Sequence, residues 1–178
     1  DIHNFMIVKT TELTDAAVRK ALDLGLETIV LTSCRTGESR EAGRFFTAVA
    51  REALEKNRPV KPPCALIATG ETVVRIDNDD YGQGGRNQEF AAGACLDLKP
   101  SDPIAICSLG TDGTDGPTPA AGAITDGSTI ARAVSKGLDI HELLRRHDIY
   151  PLLTAVGDVI ETHNTETNVC DIAVAVVL

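Results

Sequence analysis

Short apolar runs rich in β-branched residues alternate along this sequence with longer segments of helical periodicity. Six runs have the composition of buried strands: "FMIVKT", "LETIVLTS", "CALIAT", "TVVRI", "IAICSL" and "VCDIAVAVVL". Strands that alternate with helices at this interval favour an α/β fold with a mixed, mostly parallel sheet flanked by helices. Because "TVVRI" follows "CALIAT" too closely for a crossover helix, at least one antiparallel pair is expected there.

The helical segments are marked by apolar spacing and by capping residues. The clearest one starts near Ser39 and ends before "NRPVKPP", with apolar side chains at the i, i+3, i+4 and i+7 positions of one buried stripe. An earlier helix is predicted over residues 14–24, with Gly25 placed to close it. Further helices are expected at residues 88–98, 128–136 and 140–146.

The length and charge of the chain argue against several classes of protein. Its 178 residues suffice for one good core, and no apolar run approaches the roughly 20 residues needed to cross a bilayer. A formal net charge of −9 repels nucleic acid and anionic lipid at long range. Any bound anion must therefore be held by local hydrogen-bond donors or cationic side chains. Residues 1–10 lack the pattern of a secretion signal, which makes the cytoplasm the expected location. The five cysteines lack a CxxC pair and are expected to be reduced, packing as small hydrophobes.

The stretch "YGQGGRNQEF", residues 81–90, combines three glycines with an arginine and a helix start. Glycine lets another atom approach closely, and the free N–H groups of a helix beginning near Asn87 favour an anion. Arg86 would add a planar, permanent cation suited to a carboxylate or phosphate. The stretch matches neither a P-loop nor a complete dinucleotide fingerprint. An anion cradle is one interpretation, and an ordinary glycine-rich turn with an exposed arginine is the other.

A second loop, residues 109–129, follows the strand run "IAICSL" and contains two neighbouring Asp-Gly steps. Asp112 and Asp115 lie three residues apart at the expected carboxyl end of a strand, where open α/β sheets bind ligands. Their carboxylates could hold Mg²⁺, orient a substrate hydroxyl or accept its proton. Consecutive turns built by aspartate and glycine are the alternative.

A third loop, residues 161–171, is crowded with threonine, asparagine and histidine. Thr165, Thr167 and Asn168 offer neutral hydrogen-bonding groups for a polar ligand, and a surface turn stabilised by the same groups is the alternative. His163 is the histidine nearest to any of these loops in the sequence. The other histidines are expected at edges or on the surface: His3, His141 and His147.

Four motifs in order resemble the C-terminal domain of the glycerate 2-kinase family, known as the MOFRL domain: "GETVV", "GGRNQEF", "GTDGTDGPTPAAGA" and "GDVIETHNTETNVCDI". The preceding residues, including "LGLETIVLTSCRTGESREAGR", look like the segment that leads into that domain in the full-length kinases. The resemblance divides the chain into an α/β segment on the hinge side, residues 1–62, and a MOFRL-like domain, residues 63–178. The connector "KNRPVKPPC", with three prolines and three basic residues, lies at this boundary and is expected to be exposed.

The resemblance implies an enzyme that uses ATP and Mg²⁺ to phosphorylate the 2-hydroxyl of D-glycerate. Its cleft would be shared with a larger, Rossmann-like N-terminal domain that supplies a catalytic lysine, so this chain alone is expected to be inactive. Arg86 would face the cleft and Asp112 would lie near the substrate, as the catalytic residues. Asp115 is the candidate metal ligand. The motifs and the loop residues together give a substrate- or phosphate-binding set: Gly84, Gly85, Asn87, Glu89, Glu71, Thr167 and Asn168.

One position departs from the family pattern, and two other functions stay open. Glu166 stands where the last family motif usually has glycine, and its carboxylate would repel a phosphate.

A hydroxypyruvate reductase would need NAD(P)H, for which no complete fingerprint is present. A non-catalytic domain that binds a small acid or mediates oligomerisation is the third interpretation. The expected partners are a hydroxy acid and a nucleotide, without nucleic acid or membrane, and a homodimer is left open.

Overall fold

A six-stranded sheet organises the computed structural model, which describes residues 2–3, 9–77 and 79–178. Its strands are β1 (Glu27–Arg35), β2 (Cys64–Gly70), β3 (Ile104–Gly110), β4 (Gly122–Asp126), β5 (Val159–Ile160) and β6 (Asp171–Val177). Across the sheet they follow the order β1-β2-β6-β3-β4-β5. The helices are α1 (Thr10–Asp23), α2 (Ser39–Lys56), α3 (Arg86–Cys95), α4 (Thr129–Ser135), α5 (Ile140–Arg145) and α6 (Ile149–Val156).

The predicted mixed α/β class is confirmed, but the expectation of a mostly parallel sheet is wrong. Only β1 and β2 pair in parallel, and the other four pairings between these strands are antiparallel. β2, α3 and β3 form the predicted strand–helix–strand unit, yet β6 lies between its two strands and runs antiparallel to both. Alternation along the sequence predicts the crossover, whereas the insertion of a distant strand depends on long-range pairing.

Several local predictions need correction. The run "TVVRI" is not a strand: it is irregular, and only Val73 forms an isolated bridge, with Glu38. Most of "FMIVKT" falls on residues outside the described ranges, and its last residue, Thr10, begins α1. The sequence interpretation missed β4, β5 and α6. The sequence of α6, "IYPLLTAV", places Ile149, Leu152, Leu153 and Val156 at the i, i+3, i+4 and i+7 positions of one face. The helix has only eight residues and contains a proline, so its pattern is short and easily read as part of a loop.

The main core lies between one face of the sheet and the pair α2 and α3. Phe46 from α2 packs against Phe90 from α3 with ring centroids 5.6 Å apart, over a floor that includes Leu66, Ile106 and Val177. The first helix, α1, covers the opposite face of the sheet. The hydroxyl of Thr14 in α1 lies 3.1 Å from that of Thr69 in β2. Thr69 points away from the main core, because it alternates along β2 with the residues that face this core.

The helix α3 is enclosed by protein on every side. A second core, built from α4, α5, α6 and β4, covers the side of α3 that faces away from α2. All nine residues from Asn87 to Cys95 are buried. A Cβ atom at Gly43 of α2 would lie 2.0 Å from the carbonyl oxygen of Phe90, so glycine is required where the two helices cross. The polar residues in the first turn of α3 therefore need partners inside the protein.

The remaining features agree with an ordinary globular interior. The five cysteines are free, and burial raises the pKa of the Cys95 thiol to about 12, as expected for a cysteine packed as a small hydrophobe.

The proline-rich connector joins α2 to β2 and is largely exposed. β1, which precedes it, pairs with β2, which follows it, so both sides of the predicted domain boundary contribute to one sheet. Among the described helices, none combines the length and the apolar character that crossing a bilayer requires.

Candidate active site

The candidate site is built on one edge of the sheet, where three strands end and a fourth begins. Arg35 at the end of β1 pairs with Gly70 at the end of β2, Gly70 pairs with Asp171 at the start of β6, and Asp171 pairs with Gly110 at the end of β3. These four residues form a line across the sheet, called here the strand-end row. The long loops after β2 and β3 and the loop before β6 meet at this row.

Arg86, the first residue of α3, is held over the strand-end row by two carboxylates. Its Nε and Nη2 donate to the two oxygens of Asp171 at 2.6 and 3.0 Å, and Nη2 also donates to Glu71 at 2.8 Å. Asp171 has a side chain only 2% exposed, whereas that of Arg86 is 38% exposed. The hydrogen bond with Asp171 raises the pKa of Arg86 above its usual value, so the cation is permanent. Its Nη1 makes no hydrogen bond with any described residue.

The predicted anion cradle at the start of α3 exists, and the protein fills it with its own carboxylate. The backbone N–H groups of Asn87 and Gln88 donate to the two oxygens of Asp115 at 3.0 and 2.9 Å, and both side-chain amides donate to the same oxygens. Burial raises the pKa of the Asp115 carboxyl, and these four hydrogen bonds oppose the rise. Gly85 is required here, because a Cβ atom at that position would lie 2.3 Å from the Asp115 carboxyl carbon. Asp115 therefore caps the helix.

A buried polar chain connects this cap to the strand-end row. Ser108 of β3 donates to the side-chain oxygen of Asn87 at 2.6 Å and accepts a hydrogen bond from Nη1 of Arg35 at 3.2 Å. The Arg35 guanidinium lies 4.5 Å above the centre of the Phe90 ring. Burial lowers the pKa of Arg35, whose Nε and Nη2 have no hydrogen-bond partner among the described residues. Asn87 is therefore committed to this interior network.

Asp112 lies in the same loop as Asp115 but in a different environment. It is half-buried, and its Oδ1 accepts a hydrogen bond from the backbone of Thr114 at 3.0 Å. The Oδ1 atoms of Asp112 and Asp171 lie 3.1 and 3.5 Å from the position that a Cβ atom would take at Gly110. Asp112 thus flanks the strand-end row close to the Arg86–Asp171 pair. Its Oδ2 has no hydrogen-bond partner in the described part of the chain.

The third loop packs against the turn that contains Asp112. The N–H of Thr165 donates to the carbonyl of Asp112 at 3.2 Å, and the hydroxyl of Thr165 donates to the carbonyl of Thr111. Thr167 and Asn168 follow on the exposed side of this loop. Glu166 has a left-handed backbone with φ 57°, which explains why glycine is usual there. The loop therefore lies at the same sheet edge as Arg86.

Glu89 lies one helical turn beyond Arg86 and is part of a second polar group. Its oxygens contact Nδ1 of His147 at 2.6 Å and Nη2 of Arg40 at 3.1 Å, and Arg40 also donates to the carbonyl of Leu144 at 2.9 Å. Glu89 and His147 line a pocket of about 210 Å³ beside the glycine loop. It is called here the Tyr81 pocket, and its other lining residues are Val74, Ile76, Tyr81, Gly82, Gly84, Gly85, Arg86, Gly116 and Pro117.

The structure thus divides the predicted site residues into three groups. Arg86, Glu71 and Asp112 meet at the strand-end row, with Thr167 and Asn168 on the adjoining loop. Glu89 lines the Tyr81 pocket with two of the predicted glycines, Gly84 and Gly85. Asn87 and Asp115 are buried in the cap of α3. Two residues were missed: Asp171, a lone acid at the start of an apolar run, and His147, which was expected on the surface but is held by Glu89.

The carboxylates offer no complete metal site by themselves. Within residues 2–3, 9–77 and 79–178, no group of three or more histidine, cysteine, aspartate or glutamate side chains is arranged to hold a metal ion. Asp115, the predicted ligand, already accepts four hydrogen bonds from α3. Its role as a metal ligand stays a prediction, whereas Oδ1 of Asp112 accepts one hydrogen bond and Oδ2 has no partner among the described residues.

Comparison with known proteins now gives the family. The MOFRL family model matches residues 64–171, and this chain belongs to that family. The glycerate 2-kinase of Pyrococcus horikoshii is 38% identical over 177 residues, which are 99% of this chain and 40% of the relative. The D-glycerate 2-kinase of Thermotoga maritima is 40% identical over 178 residues, which are 100% of this chain and 42% of the relative.

A solved structure extends the similarity to three dimensions. A crystal structure of glycerate kinase from Thermotoga maritima superposes on this chain with a TM-score of 0.93 at 40% sequence identity, covering 100% of this chain and 42% of that one. The chain therefore spans well under half the length of the relatives it matches.

Proposed function

We propose that this chain is the C-terminal lobe of a glycerate 2-kinase, which transfers the γ-phosphoryl group of ATP to the 2-hydroxyl of D-glycerate. The reaction would take place in a cleft shared with an N-terminal domain that supplies a lysine. The observation that carries the proposal is the arrangement of Arg86: a permanent cation, fixed by Asp171 and Glu71, with Nη1 left without a described partner. The names of the two similar kinases support the choice of substrate.

Phosphoryl transfer depends mainly on positioning and on neutralising the charge of the transferred group. Asp171 and Glu71 fix the Arg86 fork from one side, so a ligand oxygen can reach Nη1 without any rearrangement of the side chain. The remaining Nη1 is suited to an oxygen of the transferred phosphoryl group, because charge-assisted hydrogen bonds from arginine are strong and directional. Asp112, with a free oxygen beside this pair, would orient the substrate hydroxyl or accept its proton.

The described residues fit a magnesium ion that is bound chiefly through the nucleotide. Mg²⁺ commonly takes one or two protein carboxylates together with phosphate oxygens and water, so the lack of a three-carboxylate cluster among the described residues is compatible with it. As the alternative to its role at the substrate hydroxyl, Asp112 would hold the ion through the same free oxygen. When bound, the ion would neutralise charge on the phosphates. Its binding by Asp115 would require breaking the cap of α3.

The glycine loop does not support the alternative function of an NAD(P)H-dependent reductase. A Cβ atom at Gly82 would lie 2.1 Å from the carboxyl carbon of Asp148, and one at Gly85 would lie 2.3 Å from that of Asp115. Protein packing therefore accounts for these glycines without a dinucleotide. The division into residues 1–62 and 63–178, a cytoplasmic location and the oligomeric state stay predictions.

The proposal is tested by comparing Arg86→Lys with Arg132→Lys in the complete protein. Arg132 is a matched control because it forms the same two-pronged pair with a buried aspartate, Asp158, at 2.7 and 2.9 Å, far from the strand-end row. Lysine keeps the charge and loses the fork. D-glycerate-dependent ADP formation should fall about 1,000-fold in Arg86→Lys, while Arg132→Lys keeps its turnover. Equal turnover in the two variants would remove Arg86 from the mechanism.

A further inference from the structure

The Tyr81 pocket has apolar walls and a polar end. Val74, Ile76, Tyr81 and Pro117 contribute the apolar surface, while Arg86 and His147 contribute polar groups. Its volume of about 210 Å³ is smaller than the roughly 300–1,000 Å³ of sites for drug-sized ligands. The pocket therefore has room for one ring system and not for a whole nucleotide. Tyr81 and Ile76 are 54% and 45% exposed, so the ring faces of a ligand can reach them.

His147 is fixed in the pocket by its contact with Glu89. Nδ1 of His147 lies 2.6 Å from Oε1 of Glu89 and 3.3 Å from Nη2 of Arg40, which also binds the other carboxylate oxygen. We assign the Nδ1 proton to the shorter contact, as a donor to the buried carboxylate. In the neutral imidazole, Nε2 is then a hydrogen-bond acceptor, and it has no partner among the described residues. His147 also has φ 52° just after α5, a left-handed position where glycine is usual.

The apolar walls and the fixed acceptor of the Tyr81 pocket favour the nucleotide base over the hydroxy acid as its ligand. A small hydroxy acid carries a polar group on every carbon, and the apolar walls would leave several of those groups without hydrogen bonds. A heteroaromatic ring has two apolar faces that stack on an aromatic side chain and a polar edge that pairs with a fixed acceptor. A nucleobase with an exocyclic amino group matches both the walls and Nε2 of His147.

We infer that the Tyr81 pocket binds the purine base of the nucleotide, stacked on Tyr81 and donating from its amino group to Nε2 of His147. This inference rests on the proposed kinase function. Arg86 joins the two parts of the site, since it lines the pocket and is also paired with Asp171 at the strand-end row. The phosphates therefore extend from the pocket past Arg86 towards Asp112.

The inference is tested by NMR titration of the complete protein with adenosine, which has the base but no phosphate. The amide signals of Gly82, Gly84 and Gly85 should shift in a saturable manner, with a dissociation constant in the millimolar range. Tyr81→Ala should weaken binding about tenfold, the effect of losing one stacking platform. Phe45→Ala is the matched control, because Phe45 is an exposed aromatic residue outside the pocket and its loss should leave binding unchanged.

Inosine, in which a carbonyl oxygen replaces the amino group, tests the role of His147. The unaltered chain should prefer adenosine to inosine about fivefold, the effect of one hydrogen bond. His147→Ala should abolish this preference, whereas His141→Ala, at an exposed histidine, should keep it. A merely structural role of His147 would lower the affinity for both nucleosides equally, which would contradict the assigned hydrogen bond.

The outcomes separate this inference from the proposed function. An absence of saturable shifts with adenosine, or shifts of the same glycines by D-glycerate instead, would overturn the base-binding assignment. In either case, the kinase proposal would still stand if Arg86→Lys abolished glycerate-dependent turnover. Adenosine binding that depends on Tyr81, in a protein without glycerate-dependent turnover, would support the pocket and remove the kinase proposal.

Discussion

Asp112 and Asp115 occupy consecutive turns of one loop, yet their surroundings differ in every respect that matters for chemistry. Asp115 is only 3% exposed and accepts four hydrogen bonds from the first turn of α3. Asp112 is half-buried, accepts one backbone hydrogen bond and lies beside the Arg86–Asp171 pair. The first carboxylate holds the scaffold together, and the second has an oxygen free for a ligand.

The difference arises from the approach of the glycine loop to only one of the two turns. Gly85 and Gly116 allow the two loops to touch, since a Cβ atom at Gly116 would lie 2.4 Å from the carbonyl oxygen of Gly84. Asp115 then reaches the free N–H groups of α3, which attract a negative charge. The site therefore has a rigid base, in which the protein supplies the anion, and an open edge that can receive an external anion.

The largest expected effect on this comparison is a loss of stability in Asp115→Ala. Removing the carboxylate deletes the helix cap and leaves buried donors of Asn87 and Gln88 without partners, so the free energy of unfolding should fall by about 3 kcal/mol. Urea unfolding followed by circular dichroism measures this change. Asp115→Asn, which keeps one acceptor oxygen, should lose less. A loss below that of Asp112→Ala would contradict the assigned difference between the two turns.

Asp112→Asn should show the opposite behaviour, with a large effect on activity and a small one on stability. Asparagine keeps the oxygen that accepts from Thr114 but lacks the negative charge, so turnover in the complete protein should fall about 100-fold. The free energy of unfolding should change by less than about 0.5 kcal/mol, as for most surface substitutions. Steady-state kinetics and urea unfolding of the same sample check both parts. Full turnover in Asp112→Asn would make this turn structural as well.

The smallest expected effect concerns Glu166, on the loop that packs against Asp112. A non-glycine residue in the left-handed conformation destabilises the folded state by about 1–2 kcal/mol. Glycine removes this strain, but it also loses more conformational entropy on folding, which offsets part of the gain. Glu166→Gly should therefore stabilise the protein by about 0.5 kcal/mol, measurable as a higher melting temperature. Glu161→Gly removes the same charge in the same exposed loop, at a residue outside the left-handed region, and should bring no stabilisation. Equal effects would show that charge, and not backbone strain, governs this loop.

Sequence periodicity was sufficient for the elements whose signals are local. The amphipathic stripe of α2, the apolar runs of β1, β2, β3 and β6, and the glycine-flanked start of α3 were all visible in the sequence. The insertion of β6 between β2 and β3 was not, because strand pairing between distant segments leaves no local pattern. For the same reason Asp171 was missed, although it forms the main partner of Arg86.

The candidate site was predicted better in its location than in its chemistry. The glycine loop, the Asp-Gly loop and the third loop do meet at the sheet edge, but the amides of α3 bind Asp115 and not an external anion. Whether a carboxylate binds a ligand or caps a helix depends on burial, which identical Thr-Asp-Gly triplets cannot reveal. His147 escaped notice because its partner, Glu89, lies 58 residues away in the sequence.

The most direct test of the central claim is a crystal structure of the complete protein with D-glycerate, Mg²⁺ and a non-hydrolysable ATP analogue. The decisive quantity is the distance from Nη1 of Arg86 to the nearest oxygen of the terminal phosphate. A charge-assisted hydrogen bond of about 2.8 Å is the predicted result. A complex in which other residues make every phosphate contact, with no oxygen of the terminal phosphate within hydrogen-bond distance of Nη1, would contradict it.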